Sequence, residues 1–280
     1  MPILLAGLAS GMFGTADFLG GLASRRAPAV TVVVGSQLAG LAVVLVAAPL
    51  MGGTAEASDW LWGAAAGASG AGALVAFYHA IATTRVGVAA PVGAVVATVL
   101  QVLFGVAIGE RPAPLSWLGV IVALPAIVLI TGGGDAGDAA GRAVTRRALS
   151  LGVITGVGFG LFGVFISRTG DESGLWPLLG ARAASILLVA TVALWLARPL
   201  VPGRGVAGTA LAAGSMDMVA NVLFLLSIRR GLLSLVSVIL ALYPAMTLLL
   251  ARTVLGERIV VMQGAGLVMA ALGVSLIAVG

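Results

Sequence analysis

Gly109-Glu110-Arg111 returns as Gly256-Glu257-Arg258, 147 positions later, and both triplets lie between apolar runs long enough to cross a bilayer. The register holds without a gap through the flanking runs. Phe77 falls on Phe224, Ile81 on Ile228, Ala94 on Ala241, Leu103 on Leu250, Gly119 on Gly266 and Ala123 on Ala270. A shift of 145 aligns the front of each half, pairing Gly7 with Gly152, Gly11 with Gly156 and Gly35 with Gly180. Such a chain folds as two homologous halves, and the seam between them is the natural place for a site.

Composition sets the class. The chain is 60% hydrophobic and 9% charged, with a mean hydropathy of +1.18, as expected of a helical protein that crosses the membrane many times. Its 41 glycines fit close helix approach in lipid. The absence of cysteine excludes disulfides, thiolate nucleophiles and thiolate metal sites, and no metal or cofactor is expected. All fifteen basic residues are Arg, which carries no functional reading by itself. The net charge of +5 belongs to loops near anionic headgroups and does not point to nucleic acid.

Hydropathy and punctuation predict ten spans near 3–23, 28–50, 60–83, 87–108, 115–131, 148–168, 175–197, 206–228, 232–254 and 259–279. Residues 1–131 make the first five-helix repeat, 132–147 a flexible Gly/Asp/Arg linker, and 148–280 the second repeat. The first span is not a cleavable signal, because no basic residue precedes it and Arg25-Arg26 follows it. Five spans per half is an odd number, so the second half inserts upside down relative to the first. That inverted arrangement is the plan of many secondary transporters. Loops after odd-numbered spans carry Arg25, Arg26, Arg85, Arg142, Arg146, Arg147, Arg198, Arg204 and Arg258; those after even-numbered spans carry Arg111, Arg168, Arg229 and Arg230. Counted this way, the positive-inside rule places both termini outside.

The paired Gly-Glu-Arg turns have Leu/Val/Ala-rich flanks. Helices that open with small residues, Gly87-Val88-Ala89-Ala90-Pro91 and Ser234-Leu235-Val236-Ser237-Val238, precede them. In these features the chain resembles the EamA-type transporters of the drug/metabolite transporter superfamily, over nearly its whole length. The resemblance implies an all-α membrane protein of ten transmembrane helices in two inverted five-helix repeats around a central cavity. It implies movement of small metabolites or amphiphilic compounds across a bacterial inner membrane without ATP, driven by protons or exchange. It also implies cytoplasmic termini, against the arginine count, and on this point the expectation follows the resemblance. The protein is expected as a monomer or homodimer, with no enzymatic activity.

Polar residues at membrane depth are costly, an Asp at a helix centre by about 2.5–3.5 kcal/mol on insertion scales, and usually face a cavity or a partner. Asp217 falls at the middle of the eighth span with Asn221 one turn on and Gly214 one turn back, which favours a substrate or proton site over a structural hydrogen bond. Asp17 shares a face with Ser10, Gly14 and Gly21, where a transport role and a packing role weigh equally. Arg182, opposite Gln37 in the repeat register, either pairs with Asp17 or Asp217 or snorkels to headgroups. Gln37, Tyr78, His79, Gln101 and Tyr243 are candidate cavity residues, each also explained by interhelical hydrogen bonding. Pro91 and Pro244 are hinge candidates. The Gly-Glu-Arg turns read as structural, the Glu capping the next helix or pairing with its Arg. Gly67-Ala68-Ser69-Gly70 matches a serine-protease string, but the one histidine, His79, is about 15 Å along the same helix, too far to act as its base. No Walker A string is present, against direct ATP coupling. Two classes remain: a secondary transporter, or a non-transporting subunit or sensor that kept the fold. Asp217 at membrane depth favours the first.

Overall fold

The computed structural model describes residues 1–83, 86–131, 139–255 and 260–279, and these form helices and short turns with no strand among them. The helices are α1 (Pro2–Ser24), α2 (Ala29–Met51), α3 (Ala57–Thr83), α4 (Val86–Ala107), α5 (Pro114–Thr131), α6 (Ala139–Ile166), α7 (Trp176–Trp195), α8 (Arg204–Ile228), α9 (Leu233–Leu240), α10 (Tyr243–Leu255) and α11 (Val261–Val279). Eight stretches are long and apolar enough to cross a bilayer, and the shorter Val92–Ala107 and Pro114–Leu129 complete ten spans. Helices satisfy their own backbone groups, which hydrocarbon cannot do for them.

Two local readings are corrected. The linker assigned to 132–147 is helical from Ala139, where Ala and Arg supply strong helix formers; 132–138 lie outside the described residues. The ninth span is two helices, broken at Ala241–Leu242. Pro244 stands at the second position of α10, where a missing N–H costs nothing. Pro91, by contrast, lies inside an unbroken α4.

The packing pattern carries the pseudo-two-fold. Exchanging the halves turns the α1–α8 contact into α6–α3, the α2–α8 contact into α7–α3, and the α4–α6 contact into the contacts of α9 and α10 with α1; every one of these is made. The pairs α2–α7 and α5–α11 face each other across the axis. In the latter a Cβ on Gly119 would meet Gly273 and Ile277, while Gly273 abuts Ala123, so position rises on one helix as it falls on the other. These two repeat-related helices therefore run antiparallel, as inverted halves require.

The first Gly-Glu-Arg turn stops one helix and caps another. Gly109 has φ +99° and closes α4: its N–H donates to Val106 O at 3.0 Å, and the Glu110 N–H reaches back to Gly105 O at 3.0 Å. This is a Schellman stop, and its left-handed residue favours glycine. Glu110 then caps α9 of the other half, not its own next helix, its Oε1 and Oε2 accepting from Leu233 N–H at 2.7 Å and Ser234 N–H at 2.9 Å. A carboxylate on two free amides at a helix N-terminus is a charge-assisted cap. Glu257 and Arg258 lie outside the described residues.

The face that holds the N-terminus is bound together further. Thr54 N–H donates to Glu172 O, the Trp176 indole donates to Gly53 O, and Ser227 Oγ donates to Pro2 O. Arg229 donates to Gly170 O, Gly174 O and Ser173 Oγ, with Asp171 at 3.9 Å. Burial lowers its pKa from the usual arginine value, and the carboxylates of Asp171 and Asp59 oppose that shift.

The halves differ in one seam. On α6, Gly152, Gly156, Gly160 and Gly163 lie against α4, and a Cβ at Gly156 would stand 2.6 Å from both Gly93 O and Val96 Cβ. Their counterparts on α1, Gly7 and Gly11, have nothing within 4 Å of such a Cβ and border a lateral cleft with Leu242, Met246 and Leu267. Gly156→Ala should therefore cost about 1–3 kcal/mol by overpacking. The repeat-related Gly11→Ala should change stability by less than about 1 kcal/mol, in the stabilising direction. Thermal unfolding in detergent reads both, and equal losses would mean that the two seams are closed alike.

Candidate functional site

Four spans from each half, α1–α4 and α6–α10, enclose a cavity of about 120 Å³ halfway along the bundle, while α5 and α11 stay outside it. Its wall is apolar and aromatic, with Phe13, Phe159, Phe162 and Phe224, of which the last two rings stack at 6.5 Å. Into this wall the helices set three charges: Asp17 on α1, Arg182 on α7 and Asp217 on α8.

Each charge breaks the repeat. Asp17 takes the place that Phe162 holds in the second half, Asp217 the place of Gly70, and Arg182 the place of Gln37. Gly70 packs against Phe162, so exchanging the halves brings Asp217 towards Asp17, and the two carboxylates do lie within electrostatic reach. Gly40 leaves room for the guanidinium, since a Cβ there would stand 2.9 Å from Arg182 Nε.

Arg182 donates from Nη2 to Asp217 Oδ2 in a close ion pair. Its side chain is 8% exposed and that of Asp217 22%, so the guanidinium turns inward and does not snorkel. Asn221 Nδ2 donates to Asp217 O at 2.7 Å and to Oδ2 at 3.2 Å. Asp217 is thus held from two sides. Asp17 has no hydrogen-bond or ion-pair partner among the described residues.

Gln37, Gln101 and Tyr243 also line the cavity. Gln101 donates from Nε2 to Phe159 O at 3.2 Å, while its Oε1, like that of Gln37, is buried without a donor. Tyr78 and His79 do not line it. Tyr78 is buried against Gly20, whose missing Cβ makes the ring's seat. His79 Nε2 accepts from Arg147 at 3.1 Å, at an exposed end of α3. Ser69 donates to Ala66 O at 2.9 Å and Gly67 packs on Ala181, which is helix packing and not a nucleophile's setting. The sequence does not mark the four phenylalanines or Ser237 as cavity residues. A phenylalanine at helical spacing looks the same whether it faces a core, a cavity or lipid.

The family model described as the EamA-like transporter family matches residues 1–132 and again 146–279, once per half. A solved structure, described only as the crystal structure of a protein, superimposes with a TM-score of 0.72 at 20% identity, over 97% of this chain and 94% of that one. At that identity the likeness speaks for the fold alone. No curated protein matches the chain.

Removing one member of a buried ion pair leaves the other charge uncompensated. Arg182→Gln should therefore cost about 3 kcal/mol, the lower end of the usual range because Asp217 reaches the cavity. Adding Asp217→Asn should return most of that loss, and a thermal-unfolding cycle in detergent measures the coupling. Strictly additive losses would mean that the two side chains do not act as a pair.

Proposed function

The chain belongs to the EamA-like transporter family and is a multi-pass membrane transporter of the drug/metabolite type; from that premise we propose that it moves small organic molecules across a bacterial cytoplasmic membrane by alternating access, coupled to protons or to exchange. The observation that carries the reading is the cavity at the seam of the halves, apolar on its walls and holding Asp17, Arg182 and Asp217 at helix-centre depth. A polar cluster there is costly unless it handles a cargo or an ion.

Coupling follows from the pair. A proton on Asp217 removes the charge that Arg182 holds, and the guanidinium is then free to move. Asn221 continues to steady the residue, because one of its bonds is to the Asp217 backbone carbonyl. Proton-bound and cargo-bound sites thereby favour different arrangements of the halves, which is what exchange between two states requires. Arg182 and Asp217 join α7 to α8, and Gln37 and Asp17 bring in α2 and α1, so the cluster senses both halves.

Asp217→Asn keeps the shape and removes the carboxylate, at the cost in stability of leaving Arg182 unpaired. In reconstituted vesicles with an imposed pH gradient, this variant should insert, purify as a single species and lose proton-driven cargo flux to the level of empty vesicles. Wild-type flux with wild-type pH dependence would make Asp217 structural and end the coupling assignment.

A further inference from the structure

We infer that the cavity is built for a small organic monocation, an ammonium group on an apolar body, with Asp17 as its counter-ion. The inference rests on the transporter reading and names the cargo class of the same site.

Charge balance carries it first. Two carboxylates and one guanidinium share the cavity, and the guanidinium is engaged by Asp217. The cluster sums to one negative charge when all three are ionised, and the uncompensated member is Asp17. Charge at membrane depth is tolerated when it is paired. A proton can neutralise Asp17 in the empty state, and a cationic cargo can do so in the loaded state. A zwitterion would leave the net charge where it was, and an anion would make it worse.

The hydrogen-bond inventory points the same way. Gln37 and Gln101, 3% and 5% exposed, each leave an Oε1 acceptor without a donor, and Asp17 offers two more acceptor oxygens. Asn221 spends its amide donor on Asp217. The buried Gln37 Oε1 and Gln101 Oε1 and the two oxygens of Asp17 are acceptors in want of donors, and an ammonium brings up to three. Phe13 lies one turn before Asp17 on α1, and Phe159, Phe162 and Phe224 complete an aromatic wall, a surface that suits a cation on an apolar body. The groups within electrostatic reach of Asp17 from neighbouring elements are Asp217, Tyr78 and Tyr243, none of them cationic, and the guanidinium that lines the cavity, Arg182, is engaged by Asp217. The cavity, about 120 Å³, is of the order that holds one small ring, so the cargo is a small molecule.

The test uses four probes of one size in the purified full chain in lipid nanodiscs: 2-phenylethylammonium, phenylalanine, 3-phenylpropionate and 2-phenylethanol. Calorimetry at pH 7.5 should give the ammonium an affinity at least tenfold above each of the others, and acidification should weaken it as the proton competes for Asp17. Asp17→Asn, checked for an unchanged elution profile, should lose tenfold or more of that affinity, as expected when a charge-assisted hydrogen bond is removed. Asp17→Glu, which keeps the charge, should retain part of it. Equal or tighter binding of the zwitterion, the anion or the alcohol would overturn the inference. So would undiminished ammonium binding in Asp17→Asn, or no ammonium binding to the native chain. Flux in vesicles separates this from the broader reading: ammonium bound but never moved would refute transport and leave the site, whereas flux of the anion or zwitterion alone would do the reverse.

Discussion

In hydrocarbon an unpaired backbone amide or carbonyl costs several kcal/mol, and so does an unpaired charge, which leaves a membrane chain little freedom in where it places either. Helices settle the first demand across all ten spans. The breaks in the helices are settled individually. Glu110 caps the opening of α9, Gly109 closes α4, and Arg229 gathers carbonyls from the loop before α7. The second demand is met for Asp217 by Arg182 and Asn221 and left open for Asp17. That one carboxylate, set in an apolar cavity, is where the structure invites something from outside.

Symmetry and its failure divide the labour. Where the halves agree, they build the frame: α5 with α11, α2 with α7, and the exchanged contacts of α1 and α3 with α8 and α6. Where they differ, they build the site: Asp17 against Phe162, Asp217 against Gly70, Arg182 against Gln37. The glycine seams differ as well, closed between α6 and α4 but open beside Gly7 and Gly11 on α1. The α1 seam closes again at Gly14, which packs on Tyr243 and Met246, so the two seams differ around Gly7 and Gly11 and not along their whole length.

Much of this was legible in the sequence because it rests on long periods. Runs of about 20 apolar residues, a repeat of 147 and an odd span count per half specify ten helices and their inversion without any side-chain detail. The rare polar residues were legible too, since Asp17, Arg182 and Asp217 stand out in chain that is otherwise apolar. What stayed hidden depends on three-dimensional register. The choice of Asp217 over Asp17 as the partner of Arg182 is set by how α7 and α8 each pack on α2, where Gly40 makes room for the guanidinium. Glu110 reaches a helix more than 120 residues away. Tyr78 and His79 are neighbours in the chain, but one fills a seat left by Gly20 and the other faces Arg147 away from the cavity. The stretch from Ala139 looked like linker because its glycines and charges masked a good helical composition.

The central claim is that one cavity between the inverted halves opens in turn to each side of the membrane. The chain has no cysteine, so a single introduced thiol reports on its own position alone. Ser237→Cys places that thiol in the cavity wall on α9. Sealed vesicles of each orientation, treated with a membrane-impermeant maleimide, ask from which side it can be reached. Labelling from both sides, with the balance shifted by an imposed pH gradient, is the result this account predicts. Labelling from one side only, whatever the gradient, would contradict it.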